Sequence, residues 1–275
     1  TPYLIEFTPD DTGEYWANYV EMTGLEMSKS WVKLTVNPQA SQQPTLPKAN
    51  TVYNGAVSGN VDVATVNPWN TKGQLTYEIP VEAKDIKNAI VYVNIYAGSG
   101  SNPNYALDSN TTITTSNGKI NLGYEELLTT ECSPDGTVYT ISGNDHVTRV
   151  YSDYQILYNV TDIVKGLNGT SISINVDSIQ KSGYQFDGRI KLIALVLAYD
   201  DGDEDIVNYW VDANQMYSTE NMNLEFDTSS LKFIDEASWF NVVLSSTDAG
   251  YKVNNYPVGD ADKHESGNYY QFNKW

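Results

Sequence analysis

Apolar and polar residues alternate with a period of two along much of this chain, the spacing of strands that bury one face. Leu75, Tyr77, Ile79 and Val81 alternate cleanly before Lys84. Ala89, Val91, Val93 and Ile95 alternate with Ile90, Tyr92 and Tyr96, so this strand is apolar on both faces and is expected at a sheet centre. Ile172, Ile174 and Val176 predict a half-buried strand. Residues 190–199 are the most hydrophobic run. Bounded by Gly188 and by Asp200, Asp201 and Gly202, they predict a buried strand that returns as a hairpin through residues 206–211. Phe240, Val242 and Leu244 predict another strand, and residues 251–253 the start of one more. Near the start, residues 3–7, 14–21 and 30–37 predict strands, with a turn at 9–13. Two short helices are expected. One covers residues 123–128, with acids at its start; the other covers 160–166, capped by Thr161 or Asp162 and stopped by Gly166. Many short strands at near-regular spacing predict an all-β chain built on a jelly-roll-like β-sandwich.

Composition agrees. The 21 tyrosines suit pleated, half-buried surfaces, and only 19% of residues are charged. With 275 residues there is enough chain for one large sandwich or two domains. The net charge of −19 repels phosphate backbones and anionic membranes, which argues against nucleic acid as a partner. Such acidity either keeps the surface hydrated or captures divalent cations, and both readings stay open. Cys132 is the single cysteine, so an internal disulfide is impossible. No apolar run approaches the length of a membrane-spanning helix, so no membrane insertion is expected of this segment. Asn110, Asn159 and Asn168 open Asn-X-Thr triplets, candidate glycosylation sites of a secreted protein.

Residues 11–17, Asp-Thr-Gly-Glu-Tyr-Trp-Ala, resemble the corner leading into strand F of immunoglobulin-like domains, with Ala17 where that family carries cysteine. The resemblance makes residues 1–37 a partial immunoglobulin-like unit. Residues 38–50 hold Pro38, Pro44 and Pro47 and almost no apolar side chain, a linker that sets residues 51–275 apart as the second domain. Residues 154–158 resemble 270–272, as though a second copy of the same device began where the chain stops. On that ground the chain is expected to be part of a longer polypeptide.

Residues 158–172, with Asn159, Val160, Thr161 and Asp162 leading to Gly166 and Asn168, resemble a device of galactose-binding-like sandwiches: a strand, one helical turn, then the next strand. Taken with Asp187, Gly188 and Arg189 before the apolar run, and with Tyr209, Trp210, Val211 and Asp212 after the acidic turn, residues 51–275 resemble a domain of adhesin-like surface proteins of methanogenic archaea. Tyr53, Gly55, Val57 and Gly59 resemble its opening segment. That resemblance implies an extracellular, cell-surface location and attachment to a cell or surface ligand, glycan or protein. It implies no catalytic residue.

The residues themselves also point away from an enzyme. His146 and His264 are the only histidines, and His146 follows a turn where exposure is expected. Residues 98–101 lack the spacing of a hydrolase elbow, and Cys132 has no basic neighbour to make it reactive. Asp201, Asp203 and Asp205, with Asp212 beyond, approach calcium-loop spacing. Ile206 stands where an EF-hand needs glycine, so only a looser calcium site would fit. Asp260, Asp262 and Glu265 form a weaker cluster of the same kind. Two functions compete: a non-catalytic adhesin or stalk module, and a carbohydrate-recognition module. The second would stack sugar rings on Trp69, Tyr105 and Tyr184, with Trp210 expected in the core.

Overall fold

The computed structural model describes residues 13–23, 26–36, 52–99, 104–128, 138–141, 144–212, 215, 225–229, 231, 238, 240–244, 250–254 and 256–275. The strand read at 3–7, most of the turn at 9–13, the linker at 38–50 and Cys132 lie outside these. The chain divides into two compact units, residues 1–43 and 44–275. In the first, β1 (Gly13–Thr23) and β2 (Glu26–Val36) form an antiparallel hairpin, in register from Gly13 opposite Val36 to Thr23 opposite Glu26.

The second unit begins with β3 (Val52–Val57), β4 (Asn60–Val66), β5 (Lys72–Glu78) and β6 (Asp85–Tyr96). It continues through β7 (Ala106–Thr115), β8 (Gly118–Leu128), β9 (Tyr139–Ile141), β10 (Asn144–Val150) and β11 (Asp153–Asn159). One helical turn, α1 (Thr161–Val164), precedes β12 (Ser171–Gln180), β13 (Arg189–Asp200) and β14 (Val207–Asp212). The last strands are β15 (Phe240–Leu244), β16 (Lys252–Val253), β17 (Tyr256–Pro257), β18 (Lys263–Gly267) and β19 (Tyr270–Lys274). The protein is all-β, and its body is a sandwich.

The topology is that of a ribbon folded double and then rolled. β4 pairs with β13, β5 with β12, β6 with β11 and β7 with β8, all antiparallel, so the two halves of the chain run back along each other. Rolling that ribbon brings β13 against β6 and β12 against β7. The result is a six-stranded sheet in the order β4-β13-β6-β11-β10-β9 facing a four-stranded sheet in the order β5-β12-β7-β8. This is a jelly roll with β10 and β9 added at one edge.

Side-chain alternation explains the packing. Ile172, Ile174 and Val176 from β12 meet Ala89, Val91, Val93 and Ile95 from β6 and Ile193, Leu195 and Leu197 from β13 in the main core. The second face of the six-stranded sheet is also covered: Leu192 and Ala194 pack with Tyr270 and Phe272 of the C-terminal sheet β15-β19-β18. A strand buried on both faces must be apolar throughout, which is why β13 and β6 carry the longest hydrophobic runs.

Four expectations need correction. Residues 123–128 are strand within β8, not helix: Glu125 and Leu127 point inward while Tyr124 and Glu126 point out. An inward glutamate disguises the period-two pattern. β14 does not return along β13 but pairs with β3, Val207 opposite Val57 through Asp212 opposite Val52. Both edges of β13 are already taken by β4 and β6, so no hairpin with β14 is possible. Val81 is 72% exposed, because β5 ends before Pro80 and the chain turns there. His146 is buried between the sheets. The helical turn is present at α1, but its N-cap position is Val160, which has no side-chain cap, rather than Thr161 or Asp162. Asn159 Oδ1 accepts from the Thr161 N–H at 3.0 Å and from its hydroxyl at 2.6 Å, and Gly166 follows at φ +77.

Candidate functional site

The β3–β14 pair carries an open groove on its outward face. Alternation on β14 sends Val211 inward, where it is buried as Val57 of β3 is. Asn208 and Trp210 therefore share the opposite face, and the register sets Asn54 directly across from Trp210. Gly55 lets the Tyr209 ring lie close against β3, since a Cβ there would meet that ring at 3.0–3.1 Å. Glu225, Phe226 and Asp227 close the groove from a distant segment, and Ser229 N–H donates to Asp227 Oδ1 at 3.0 Å to hold the turn. Hydrogen bonds from the Ser229 side chain and from its N–H keep the Asp227 carboxyl below its usual value. The groove encloses about 520 Å³ between Asn54, Gly55, Asn208, Trp210, Glu225, Phe226 and Asp227. Two aromatic side chains, two carboxamides and two carboxylates offer apolar faces together with paired donors and acceptors.

Trp69 lies elsewhere, in a cluster of aromatic and cationic groups. It sits at φ +49, its N–H donates to Ile190 O, and its ring stacks on Tyr269 with centroids 5.2 Å apart. The Arg189 guanidinium lies 4.6 Å from the Trp69 ring centre and 5.5 Å from that of Tyr96. Gly188 at φ +71 bends the chain so that Asp187 and Arg189, two residues apart, form a bidentate pair with both contacts at 2.5 Å. This accounts for the Asp-Gly-Arg motif. Its pair with Asp187 holds the Arg189 guanidinium above its usual value. Lys191 Nζ lies 5.1 Å from the Tyr96 ring centre, 5.7 Å from that of Tyr269, and 2.6 Å from Asp153 Oδ1. Asn67 ties the neighbourhood together: Nδ2 donates to Lys191 O, and Oδ1 accepts from Asn268 N–H.

Tyr105 is half-buried, with its ring packed over Gly98, where a Cβ would come within 1.9 Å of it. Tyr184 is exposed in the turn that follows β12. The segment from Tyr184 to Ile190 bridges to Tyr105 at Gln185 and to Asn70 at Ile190. Trp69, Tyr105 and Tyr184 thus border one segment, and none of them lines the groove at Trp210. Sequence reasoning expected Trp210 in the core and missed Asn54, Asn208, Glu225, Phe226 and Asp227. The alternation of Asn208 and Trp210 was the available signal.

Asp201, Asp203 and Asp205 follow one another along the β13–β14 turn. Asp203 N–H donates to Asp201 Oδ1 at 3.2 Å and Asp205 N–H to Asp203 Oδ1 at 3.1 Å. A side-chain hydrogen bond with Asp203 raises the Asp205 carboxyl. Among the described residues, no three His, Cys, Asp or Glu side chains group so as to hold a metal ion.

The buried polar residues meet at Glu125. Its Oε1 lies 2.8 Å from His146 Nε2 and 3.2 Å from the Tyr158 hydroxyl, and its Oε2 accepts from Asn144 Nδ2. Burial alone would raise this carboxyl, but the bonds from His146, Asn144 and Tyr158 outweigh it and hold it below the usual carboxylate range. Gly123 leaves the space, since a Cβ there would meet Glu125 Oε1 at 2.6 Å and the Tyr158 ring at 2.8 Å.

The three Asn-X-Thr triplets differ sharply. Asn168 is exposed, donating only to Val81 O at 3.1 Å; Asn159 is bound to Thr161; Asn110 buries its Oδ1 in β7. In a cell that N-glycosylates, Asn168 is expected to carry glycan and Asn110 to remain bare. Mapping by mass spectrometry after enzymatic release checks this, and a glycan on Asn110 of the folded protein would contradict it.

Residues 45–275 match the family described as "Protein of unknown function (DUF3344)". The chain belongs to this family. The match spans the whole jelly roll, the Trp210 groove and the Asp-Gly-Arg cluster of the DUF3344 unit, and begins beyond the β1–β2 hairpin. No curated protein matches the chain.

Proposed function

We propose that this chain is a non-catalytic, extracellular module of an adhesin-like surface polypeptide, and that it attaches by recognising a glycan in the groove at Trp210. The groove carries the reading. An indole face accepts the C–H face of a sugar ring, while Asn54, Asn208, Glu225 and Asp227 are placed to pair with its hydroxyls. The strongly acidic surface and the resemblance to archaeal adhesin-like proteins support the extracellular, cell-surface part. The rival is a stalk segment that binds nothing, favoured by the sandwich being covered on the second face of its larger sheet.

A glycan array separates the two. Binding is expected on a subset of glycans, and Trp210→Ala should weaken it at least tenfold, or about 1.4 kcal/mol. Trp69→Ala should leave the affinity unchanged, because Trp69 is engaged with Tyr269 and Arg189. Binding that survives Trp210→Ala would place the site elsewhere. No glycan binding by the intact chain would favour the stalk.

A further inference from the structure

β13 pairs with β6 from Arg189 opposite Tyr96 and Ile190 opposite Ile95, then resumes at Leu192 opposite Asn94. Lys191 is the residue left over. An extra residue in a strand redirects its side chain, and here a lysine inside the most apolar strand is 3% exposed. Its Nζ reaches past Tyr96 to Asp153, which opens β11 on the far side of β6 and pairs there with Tyr96. The amine and the carboxyl are 2.6 Å apart, yet Asp153 Oδ1 has no aligned hydrogen bond. With one carboxyl oxygen at 2.6 Å, the amine lies next to the acyl carbon to which that oxygen is bonded.

We propose that Lys191 and Asp153 condense to an intramolecular isopeptide bond that staples β13 to β11 across β6. The step balances from the ion pair. One proton passes from the ammonium to the carboxylate, giving amine and carboxylic acid. The Nζ lone pair adds to Cγ. The Cγ–O bond of the resulting hydroxyl then breaks, and the oxygen leaves as water with a proton from Nζ. No oxidant or co-reactant is needed, and holding the two groups in contact replaces the activation an intermolecular reaction would require. Burial pushes the Asp153 carboxyl up, against the opposing pull of Lys191, and so favours the protonated acyl donor. With Cys132 the single cysteine, the chain has no internal disulfide to serve the same purpose.

Intact-mass measurement on the folded, full-length chain tests this directly. The protein is expected to be lighter than its sequence by one water. A protease digest should yield a branched peptide joining the segments around Asp153 and Lys191. Lys191→Arg and Asp153→Ala should each restore the sequence mass. A folded chain at full sequence mass overturns the proposal, and so does a water loss that persists in Lys191→Arg. The first readout uses the unaltered protein, so it decides the matter even where a variant fails to fold.

Discussion

Glu125→Ala is expected to destabilise the second unit by about 3–5 kcal/mol, the scale for breaking a buried charged network by removing one partner. Three groups would be orphaned together: His146 Nε2, the Tyr158 hydroxyl and Asn144 Nδ2 all direct their bonds to this carboxylate. The void would also sit beside Gly123, which offers no side chain to fill it. Glu125→Gln should cost less, because an amide oxygen still accepts one of the bonds. The pH dependence has a definite sign. The folded state holds this carboxyl low, so its contribution is present above the unfolded carboxylate pKa and is lost as pH falls through the lower, folded one. Urea midpoints taken from about pH 7 down to about pH 3 should fall in the parent and fall less in Glu125→Gln. Equal slopes in the two proteins would show that Glu125 is not the titrating group.

Ile193→Ala is the second large effect, expected to cost about 2–5 kcal/mol. Ile193 lies in β13 with Val66 on one side and Val93 on the other, is fully buried, and would be met at 2.9 Å by a Cβ on Gly73 of the facing sheet. With both neighbouring strands and the opposite sheet fixed, the site has little room to collapse, which puts the cost toward the upper part of that range. Val81→Ala serves as the control. That side chain is exposed, so its loss should change stability by no more than about 0.5 kcal/mol. Denaturant unfolding of the two variants checks the contrast, and similar midpoints would contradict the packing described for β13.

Most of the fold was legible because alternation reports burial without knowledge of partners. Ile172, Ile174 and Val176 face the core as their spacing predicted, and the two-faced apolar segments of β6 and β13 are central. The misses share one physical cause. Pairing is a property of the whole sheet, so the acidic turn after Asp200 resembled a hairpin although both edges of β13 were occupied. Burial of polar groups depends on partners far away in sequence. Glu125 read as an acid at the start of a helix and His146 as exposed, because their satisfaction comes from each other and from Tyr158 and Asn144. The Trp210 groove was half legible. Asn208 and Trp210 lie on one strand, but Glu225, Phe226 and Asp227 reach it from a segment with no pattern to announce its destination.

The doubled-ribbon topology also governs when this protein can form. Asn60 pairs with Tyr199, and Val66 with Ile193, so the opening strand of the sandwich must wait for nearly the last one. Contacts of such long sequence separation close slowly, since the intervening chain must be ordered before they reward it. During synthesis β4 and one edge of β6 stay unpaired until β13 emerges, leaving strand edges open to neighbouring chains. A nascent chain halted before Arg189 would hold the β7–β8 hairpin and the β6–β11 pair but lack the strand that unites them with β4. Assembly of this unit only after its last strand arrives is the order its topology favours.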